Sequence, residues 1–364
     1  MKLGIIGGGA AGSYLAIRIK ELHPSFDVTI IERNDKLMKK IAVTGSGRCN
    51  YANLGSLEGK YNNEFANKII SNLKPFPVIA NFDRYGIHPT TIDDELVYPV
   101  TLSAQTVILM LNKKIEELGV HVCLNEKVLD YQKGDKSYSV KTDKQIHVFD
   151  NLVFASGGKA YPQLGTDGLL IDVLRQHQYR IEELSPSLSP IKTKENVKKI
   201  SGQRVKCLVS LFYKEKYIYT EFGEVLFKDD GISGIVILNM SQKINAMTDK
   251  KDVKIILDLA PEYENIKPEQ YAEFVHPKVA TYLIDNHLDI NKVVFTFKNF
   301  YDYNIAEVSH GGVSIKEVTD SLESKKEKGI YFAGEILDVD GMCGGFNLMF
   351  AFACSETIAR VIKE

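Results

Sequence analysis

A glycine-rich turn near the start of the chain constrains the fold more than any other sequence feature. Residues 7–12 read GGGAAG, a GxGxxG motif between an apolar strand segment and a segment with helical spacing of apolar side chains. In such a motif Gly7 permits the tight turn, Gly9 lets backbone approach a pyrophosphate, and Gly12 permits close packing of helix on strand. The N–H groups of the helix N-terminus then favour phosphate. The residues predicted to contact a dinucleotide here are Gly7, Gly9, Ala10, Ala11 and Gly12.

A glutamate after the second strand segment extends this motif. The β-branched run at 28–31 leads into Glu32, which stands 20 residues beyond Gly12. A carboxylate at that place accepts hydrogen bonds from both hydroxyls of an adenosine ribose, and it repels a 2′-phosphate, which disfavours NADP at this site. Strand, helix, second strand and acid in register predict a Rossmann-type dinucleotide-binding unit within the first 32 residues.

Two later strand segments favour FAD over NAD as the dinucleotide. Residues 152–155 and 329–333 are apolar runs that end in small residues, and the second leads through Gly334 into Glu335. Each run would bring backbone close to a cofactor that already lies on the first strand. A nicotinamide dehydrogenase needs no closing strand from the far end of the chain. Because the chain has one dinucleotide fingerprint, we expect NAD(P)H to bind only transiently.

Two polar, glycine-rich loops are predicted to surround the cofactor ring. Residues 40–50 combine the glycines Gly45 and Gly47 with Arg48, whose guanidinium suits phosphate or a substrate carboxylate. Residues 338–347 precede the last helical segment, whose N-terminus would stabilise negative charge on a reduced ring.

The length and the distribution of motifs predict a discontinuous domain organisation. A chain of 364 residues exceeds what one compact core usually holds. We predict an α/β fold in which residues 1–187 and 306–364 form a Rossmann-like FAD-binding domain of the glutathione-reductase type. Residues 188–305 form an inserted β-rich domain containing some helix. The insert carries no nucleotide motif, so we expect it to cover the exposed face of the ring and to set substrate choice.

Composition excludes several other classes of protein. The 45 basic and 47 acidic residues nearly balance, which argues against binding to nucleic acid by bulk electrostatics. The five cysteines form no CxxC and no Cys/His cluster, so we expect no disulfide scaffold, no metal and a reducing cytoplasm. No apolar run reaches the length that a membrane span needs.

The motifs together resemble one bacterial flavoprotein family. The segments are GGGAAG, TGSGRCNYAN, ASGGKAYPQLGTDG, GEVLFKDDGISG, HGGVSIKEV and GIYFAGEILDVDGMCGGFN, and they cover essentially the whole chain in the family's order. The family is the YhiN/BaiN-like group, also called the aminoacetone oxidase family of FAD-binding enzymes. The resemblance implies FAD strongly, but the family's activities are diverse: amine oxidation, reduction of conjugated double bonds in steroid acids, and uridine reduction in ribosomal RNA.

The resemblance also implies a set of cofactor contacts. The ADP half would lie on Gly7, Gly9, Ala11, Gly12, Glu32 and Arg33, with backbone of Val128 at the adenine. The ring region would be lined by Lys40, Thr44, Gly47, Arg48, Cys49 and Asn50. Ala155, Ser156, Gly157 and Tyr161 would cover the middle, and Gly334, Glu335, Gly345, Phe346 and Asn347 would close the site.

Three residues are candidates for catalysis. His310, which precedes a glycine pair, is the histidine best placed for proton transfer. Lys159 and Tyr161 follow the apolar strand segment at 152–155, where they could steer a substrate anion. We expect an FAD-dependent oxidoreductase that transfers hydride through flavin N5 between NAD(P)H, or the substrate itself, and a second acceptor. The partner is then a small-molecule substrate. The alternatives are an aminoacetone-type amine oxidase that produces hydrogen peroxide, and a flavoprotein acting on ribosomal RNA uridine. A basic stretch at the start of the insert could contact RNA phosphate; it consists of Lys192, Lys194, Lys198, Lys199, Arg204 and Lys206.

Overall fold

The chain divides into two compact units. In this computed structural model, which describes residues 1–73 and 76–363, unit 1 combines Met1–Ser185 with Val308–Glu364 and unit 2 is Pro186–Glu307. The helices are α1 (Ala10–Leu22), α2 (Glu64–Ser71), α3 (Pro77–Arg84), α4 (Ala104–Glu117), α5 (Leu169–Gln176), α6 (Ile235–Asn245), α7 (Pro277–Asp285) and α8 (Phe346–Val361).

The strands are mostly short. They are β1 (Lys2–Ile6), β2 (Asp27–Ile31), β3 (Ala52–Asn53), β4 (Pro89–Ile92), β5 (Leu96–Pro99), β6 (His121–Cys123), β7 (Val128–Lys133), β8 (Tyr138–Thr142), β9 (Ile146–Phe149), β10 (Asn151–Phe154), β11 (Ile181–Ser187), β12 (Ile191–Thr193), β13 (Arg204–Tyr213), β14 (Lys216–Phe227), β15 (Gly231–Ser233), β16 (Val253–Asp258), β17 (Val293–Phe300), β18 (Val308–Val313) and β19 (Ile330–Phe332).

A five-stranded parallel sheet in the order β19-β10-β1-β2-β6 forms the centre of unit 1. Its central strands are apolar runs because both of their faces are buried. Ile6 pairs with Phe154, and Phe154 pairs with Phe332, so β1, β10 and β19 end at the same edge. Ligands of open α/β sheets bind outside the carboxyl ends of the strands, which places the expected site at this edge. Three smaller sheets, β7-β8-β9, β3-β5-β4 and β11-β18, complete the unit.

Helices α1 and α8 pack against each other and fix the N-terminus of α1. The Ser355 hydroxyl donates to the Ala11 carbonyl at 2.8 Å, and the Tyr14 hydroxyl donates to the buried Glu356 carboxylate at 2.6 Å. Asn81 of α3 donates to the same carboxylate at 2.9 Å. A buried carboxylate needs such partners, because an unpaired charge in the interior is costly. The first and last helices of the chain are therefore joined by specific polar contacts.

Unit 2 is a closed barrel with the strand order β12-β15-β14-β13-β16-β17. Strands β13 and β14 pair over almost their full length as an antiparallel hairpin. Alternate side chains such as Val209, Ile255 and Phe295 point into the apolar core, to which α6 contributes Ile237 and Met240. Closing the sheet leaves no unpaired strand edge in the barrel.

The predicted fold class is confirmed, with an α/β Rossmann-type unit and an inserted β-rich unit that carries helices. The segment predicted as a helix after the GxGxxG motif is α1. The sequence further predicts a partly helical segment over residues 65–85 that Pro75 and Pro77 interrupt. Pro77 is the first residue of α3, and Pro75 lies outside the described residues. Among the described helices, none combines the length and the apolar character that crossing a membrane requires.

Candidate dinucleotide site

The glycine turn after β1 is packed so tightly that side chains would not fit at two of its positions. Gly7 has a φ of +106°, and a Cβ there would lie 2.6 Å from the Ala155 carbonyl oxygen. A Cβ on Gly12 would lie 2.0 Å from the Gly7 carbonyl oxygen. Both neighbours are backbone atoms and cannot move aside. These two glycines therefore hold α1 against β1 and β10.

Gly9 is different, because the space beside it is open. A Cβ on Gly9 would meet no atom of the described residues within 4 Å. Gly9 is the N-cap of α1, and no side chain from the described part of the chain caps that helix. The first N–H groups of a helix have no partner inside the helix, and they carry the positive end of its dipole. This open, electropositive position fits a pyrophosphate.

Glu32 ties the glycine turn to the end of β2. Its buried carboxylate accepts hydrogen bonds from the Gly8 N–H at 2.8 Å and from both the backbone N–H and the side-chain amide of Asn34, each at 2.8 Å. A carboxylate has about four acceptor positions, so three protein donors leave room for a ribose hydroxyl. Glu32 can thus shape the turn and bind ribose at the same time.

The segment from β6 to β7 runs beside Glu32. The Glu126 N–H donates to the Glu32 carbonyl at 3.0 Å, and the Asn125 N–H donates to the Asn34 carbonyl at 2.8 Å. Val128 begins β7 and is buried. Arg33 forms an ion pair with Asp167 at 2.5 Å. Val128 therefore closely follows Asn125 and Glu126, the two residues that are hydrogen-bonded to the backbone after β2. The Arg33 guanidinium is paired with a carboxylate.

Glu335 joins loops from four parts of unit 1. Lys40 Nζ lies 2.7 Å from its Oε2, and the Ser309 N–H donates to its Oε1 at 2.9 Å. The Ser309 hydroxyl accepts the backbone N–H groups of Lys159 at 2.7 Å and Ala160 at 3.0 Å. The Lys40 side chain is thus paired with Glu335, and the backbone of Lys159 is linked to Glu335 through Ser309. Ser309 was missed by sequence reasoning, and its place next to His310 was the signal that could have found it.

Two backbone turns follow β10 at the carboxyl edge of the sheet. The Ala155 N–H donates to the Ile6 carbonyl at 2.8 Å, so Ala155 and Ser156 continue directly from the central sheet. Gly157 has a φ of +73° and Tyr161 a φ of +56°. A left-handed conformation at a tyrosine costs free energy, and such residues are concentrated at functional sites. Tyr161 precedes the short 3₁₀ turn Pro162–Leu164.

His310 is hydrogen-bonded to a buried acid. Its Nδ1 lies 2.8 Å from the Asp340 Oδ1, and the Asp340 side chain is 0% exposed. Because a carboxylate only accepts hydrogen bonds, Nδ1 is the donor, and Nε2 is the nitrogen through which a proton can be exchanged. Burial raises the pKa of the neighbouring Asp338 carboxyl. Sequence reasoning named His310 but missed Asp340, which lies 30 residues further along the chain.

The loop before α8 encloses an unpaired polar atom. Asn50 is buried, and its Oδ1 has no hydrogen-bond partner among the described residues. Gly345, with a φ of +88°, approaches so closely that a Cβ would lie 2.6 Å from that oxygen. A buried acceptor without a donor costs about 1–3 kcal/mol, so a bound molecule that donates a hydrogen bond fits this position.

The remaining residues of this loop have structural partners. The Asn347 amide both accepts from the Gly341 N–H and donates to the Gly341 carbonyl, each at 2.8 Å. Phe346 is buried at the start of α8, and Tyr61 donates its hydroxyl proton to the Phe346 carbonyl at 2.8 Å. Gly334, with a φ of +75°, places its Cα close to Ala11 of α1. The two bonds of Asn347 therefore fix the conformation of this loop. The lack of a side chain on Gly334 lets the segment after β19 lie close to α1.

The loop after Lys40 forms short 3₁₀ turns within Ile41–Gly47, with a kink at residues 44–46, and polar side chains of this loop bond to local partners. The Thr44 hydroxyl donates to the Ile41 carbonyl at 2.8 Å. Arg48 Nε donates to the Gly45 carbonyl at 3.3 Å, and its guanidinium lies 5.6 Å from the centre of the Tyr98 ring.

Cys49 is fully buried, and burial raises the pKa of its thiol to about 12. A thiol rather than a thiolate stands there at neutral pH, which argues against a reactive Cys49. Cys343 is half-buried, and neither residue forms a disulfide in the described chain.

Comparison with known proteins agrees with this architecture. Residues 1–361 match the family described as "HI0933-like protein Rossmann domain". The 3-dehydro-bile acid delta(4,6)-reductase of Clostridium scindens is 27% identical, over 100% of this chain and 99% of that protein. The ribosomal RNA dihydrouridine synthase of Haemophilus influenzae is 25% identical, over 98% of each. The solved open conformation of a flavocytochrome c3 fumarate reductase aligns with a TM-score of 0.51 at 11% identity, over 99% of this chain and 78% of that chain, which bears on the fold alone.

Proposed function

The chain belongs to the HI0933-like family of Rossmann-domain proteins and is an FAD-dependent oxidoreductase; from this premise we propose that it reduces a conjugated carbon–carbon double bond in a small molecule. FAD supplies a ring that accepts a hydride from one partner and delivers it to another. The electron donor in this proposal is NAD(P)H, which binds transiently because the chain has one dinucleotide fingerprint.

The residues of unit 1 fit FAD in three places. The open space at Gly9 and the N-terminus of α1 would hold the pyrophosphate, and Glu32 would hold the ribose. The unpaired Asn50 Oδ1 would accept a hydrogen bond from the ring region. Lys40 and Glu335, 2.7 Å apart, would contribute charge between these regions.

The pairing of His310 with buried Asp340 is the observation on which the proposed reduction of a double bond depends. Saturating a conjugated double bond needs a hydride at one carbon and a proton at the other. Asp340 holds the ring at 2.8 Å and keeps Nδ1 protonated. Nε2 can then take a proton from solvent, which gives an imidazolium paired with the Asp340 carboxylate, and this imidazolium donates the proton to the second carbon and returns to the neutral form. Lys159 and Tyr161, whose backbone leads out of the same sheet edge, remain candidates for steering an anionic or carbonyl-bearing substrate.

Two relatives support this type of reaction. A delta(4,6)-reductase and a dihydrouridine synthase are both named for adding hydrogen across a carbon–carbon double bond. An amine oxidase would instead remove a hydride from its substrate, and it has no need for a proton donor of this kind. The His310–Asp340 pair therefore favours reduction over oxidation.

Action on ribosomal RNA is the second candidate, because a relative of this chain carries that name. The basic stretch that would bind RNA is partly neutralised within unit 2. Lys192 lies 3.0 Å from Asp230, Lys199 lies 3.4 Å from Asp285, and Arg204 pairs with Glu224. Cations that already have carboxylate partners gain less from phosphate, which favours a small molecule over RNA.

Anaerobic reduction and reoxidation of the bound flavin tests the proposal. NADH or NADPH is expected to bleach the flavin absorbance, and a 3-oxo-4-ene steroid or a similar enone is expected to restore it and to appear as the saturated product. Bleaching by aminoacetone and not by either nicotinamide would contradict the proposal in favour of amine oxidation. Reoxidation by a uridine-containing ribosomal RNA fragment and by no enone would contradict it in favour of RNA.

Replacing one carboxylate oxygen of Glu32 by an amide tests whether this side chain binds the ribose. In Glu32→Gln the side chain loses its charge and one acceptor oxygen becomes an amide NH₂, so Gly8 and Asn34 compete with the ribose hydroxyl for the one remaining acceptor oxygen. Hydrogen bonds to a charged group contribute about 1.5–3 kcal/mol, so the dissociation constant of FAD should rise about ten- to a hundredfold. Fluorescence titration of apoprotein measures this, with Glu116→Gln on exposed α4 as control. An unchanged constant would mean that Glu32 does not support the cofactor.

A further inference from the structure

A cysteine, a glutamate and a histidine converge outside the dinucleotide site. Cys123 ends β6, Glu126 lies in the connection to β7, and His147 lies in β9. One ligand atom from each, Cys Sγ, a carboxylate oxygen and an imidazole nitrogen, lies within 4.8 Å of the other two. Sequence reasoning found no Cys/His cluster, because His147 reaches the others only through the pairing of β8 with β9.

We propose that Cys123, Glu126 and His147 bind a zinc ion. Thiolate, imidazole and carboxylate are the ligands that Zn²⁺ takes in proteins, and three protein ligands leave a fourth position for water. Tetrahedral zinc with bonds of about 2.0–2.3 Å holds its ligand atoms roughly 3.3–3.8 Å apart. The present separations reach that range if the side chains move by about 1 Å.

Burial of the central carboxylate supports a cation here. Glu126 is 4% exposed. Its Oε1 lies 2.6 Å from His147 Nε2 and accepts the Thr142 hydroxyl at 2.8 Å. The contact with His147 is an ion pair only when the imidazole is protonated. A zinc ion bound by Nε2 and Oε1 would supply the positive charge that a buried carboxylate needs.

The cysteine is accessible and can respond to a metal. Cys123 is half-buried. Burial and the adjacent Glu126 raise the pKa of its thiol, whereas the neighbouring Lys144 lowers it. Zinc deprotonates a coordinating thiol outright, so binding would release a proton to solvent as the sulfur–zinc bond forms. The Lys144 ammonium donates to the Leu124 carbonyl at 3.3 Å.

The proposed zinc ion would connect β6, β9 and the segment before β7 beside the dinucleotide site. The Glu126 N–H and the Asn125 N–H are bonded to backbone at the end of β2. A metal that clamps Glu126 to β6 and β9 would therefore stiffen the connection beside the dinucleotide site. This is a structural role, and it does not depend on the reaction proposed above.

Zinc binding to the holoprotein tests the proposal by competition with a chromophoric chelator. We expect one zinc per chain, and affinity at least about a hundredfold lower in Cys123→Ser and in His147→Gln, since loss of a residue that only orients a ligand already costs about 10- to 100-fold. His121→Gln, an exposed histidine on the same strand as Cys123, should bind zinc like the parent. A stoichiometry near zero, or parental affinity in His147→Gln, would overturn the proposal.

A second measurement uses the unaltered protein, in case a variant loses its fold. Alkylation of Cys123, followed by mass spectrometry of its peptide, should slow at least about tenfold when zinc is added. Half-buried Cys343 in the same sample should react at an unchanged rate and serves as the internal reference. Equal alkylation of Cys123 with and without zinc would overturn the proposal.

Discussion

Gly9→Asp is expected to leave the protein folded and to lower its affinity for FAD at least about a hundredfold. The fold tolerates the change because a Cβ at Gly9 meets no described atom within 4 Å. The new carboxylate, however, would occupy the space of the pyrophosphate and place a like charge beside it. Fluorescence titration of the apoprotein with FAD gives the affinity, and thermal melting of the apoprotein gives the stability.

Two comparisons sharpen this expectation. Gly134→Asp adds the same charge to an exposed hairpin loop and should leave FAD binding unchanged. Gly12→Ala should lower the stability of the apoprotein itself, because its Cβ would lie 2.0 Å from the Gly7 carbonyl oxygen. If Gly9→Asp bound FAD like the parent, the pyrophosphate would have to lie elsewhere.

His310→Asn is expected to slow reoxidation of the reduced enzyme by an enone about 10²- to 10⁴-fold, the usual contribution of a positioned general acid. Reduction by NAD(P)H needs no proton from His310 and should proceed at the parental rate with parental flavin content. Stopped-flow absorbance under anaerobic conditions separates the two half-reactions. This separation distinguishes proton donation from a structural defect, which would affect both.

Two further variants complete this test. Asp340→Asn can still bond to Nδ1 but offers an amide in place of a carboxylate, so reoxidation should slow by less than in His310→Asn. His88→Gln removes an exposed histidine and should change neither half-reaction. Equal slowing of both half-reactions in His310→Asn would exclude a specific role as proton donor.

Local signals in the sequence account for the elements that form the sheet edge. The GxGxxG motif, its flanking strands and helix, and the acid at Glu32 depend on neighbours in sequence, so α1 and β2 could be predicted closely. The steric contacts of Gly7 and Gly12 show why those residue types stand there.

Contacts between distant segments could not be predicted in this way. The pairing of His310 with Asp340 and of Ser309 with Glu335 depends on how loops meet at the ends of β18 and β19. Convergence of Cys123 with His147 depends on the register of β8 and β9. The register of a sheet is set by side-chain packing over whole strands, and no short motif records it.

Identification of the molecule that unit 1 binds decides whether this chain is an FAD enzyme. Protein purified under native conditions is expected to be yellow and to release one FAD per chain on denaturation, identified by chromatography against FAD and FMN standards. FMN would lack the adenosine half for which the segment from Gly7 to Glu32 is built. Release of FMN, or a colourless protein that fails to take up FAD after incubation with it, would contradict the account.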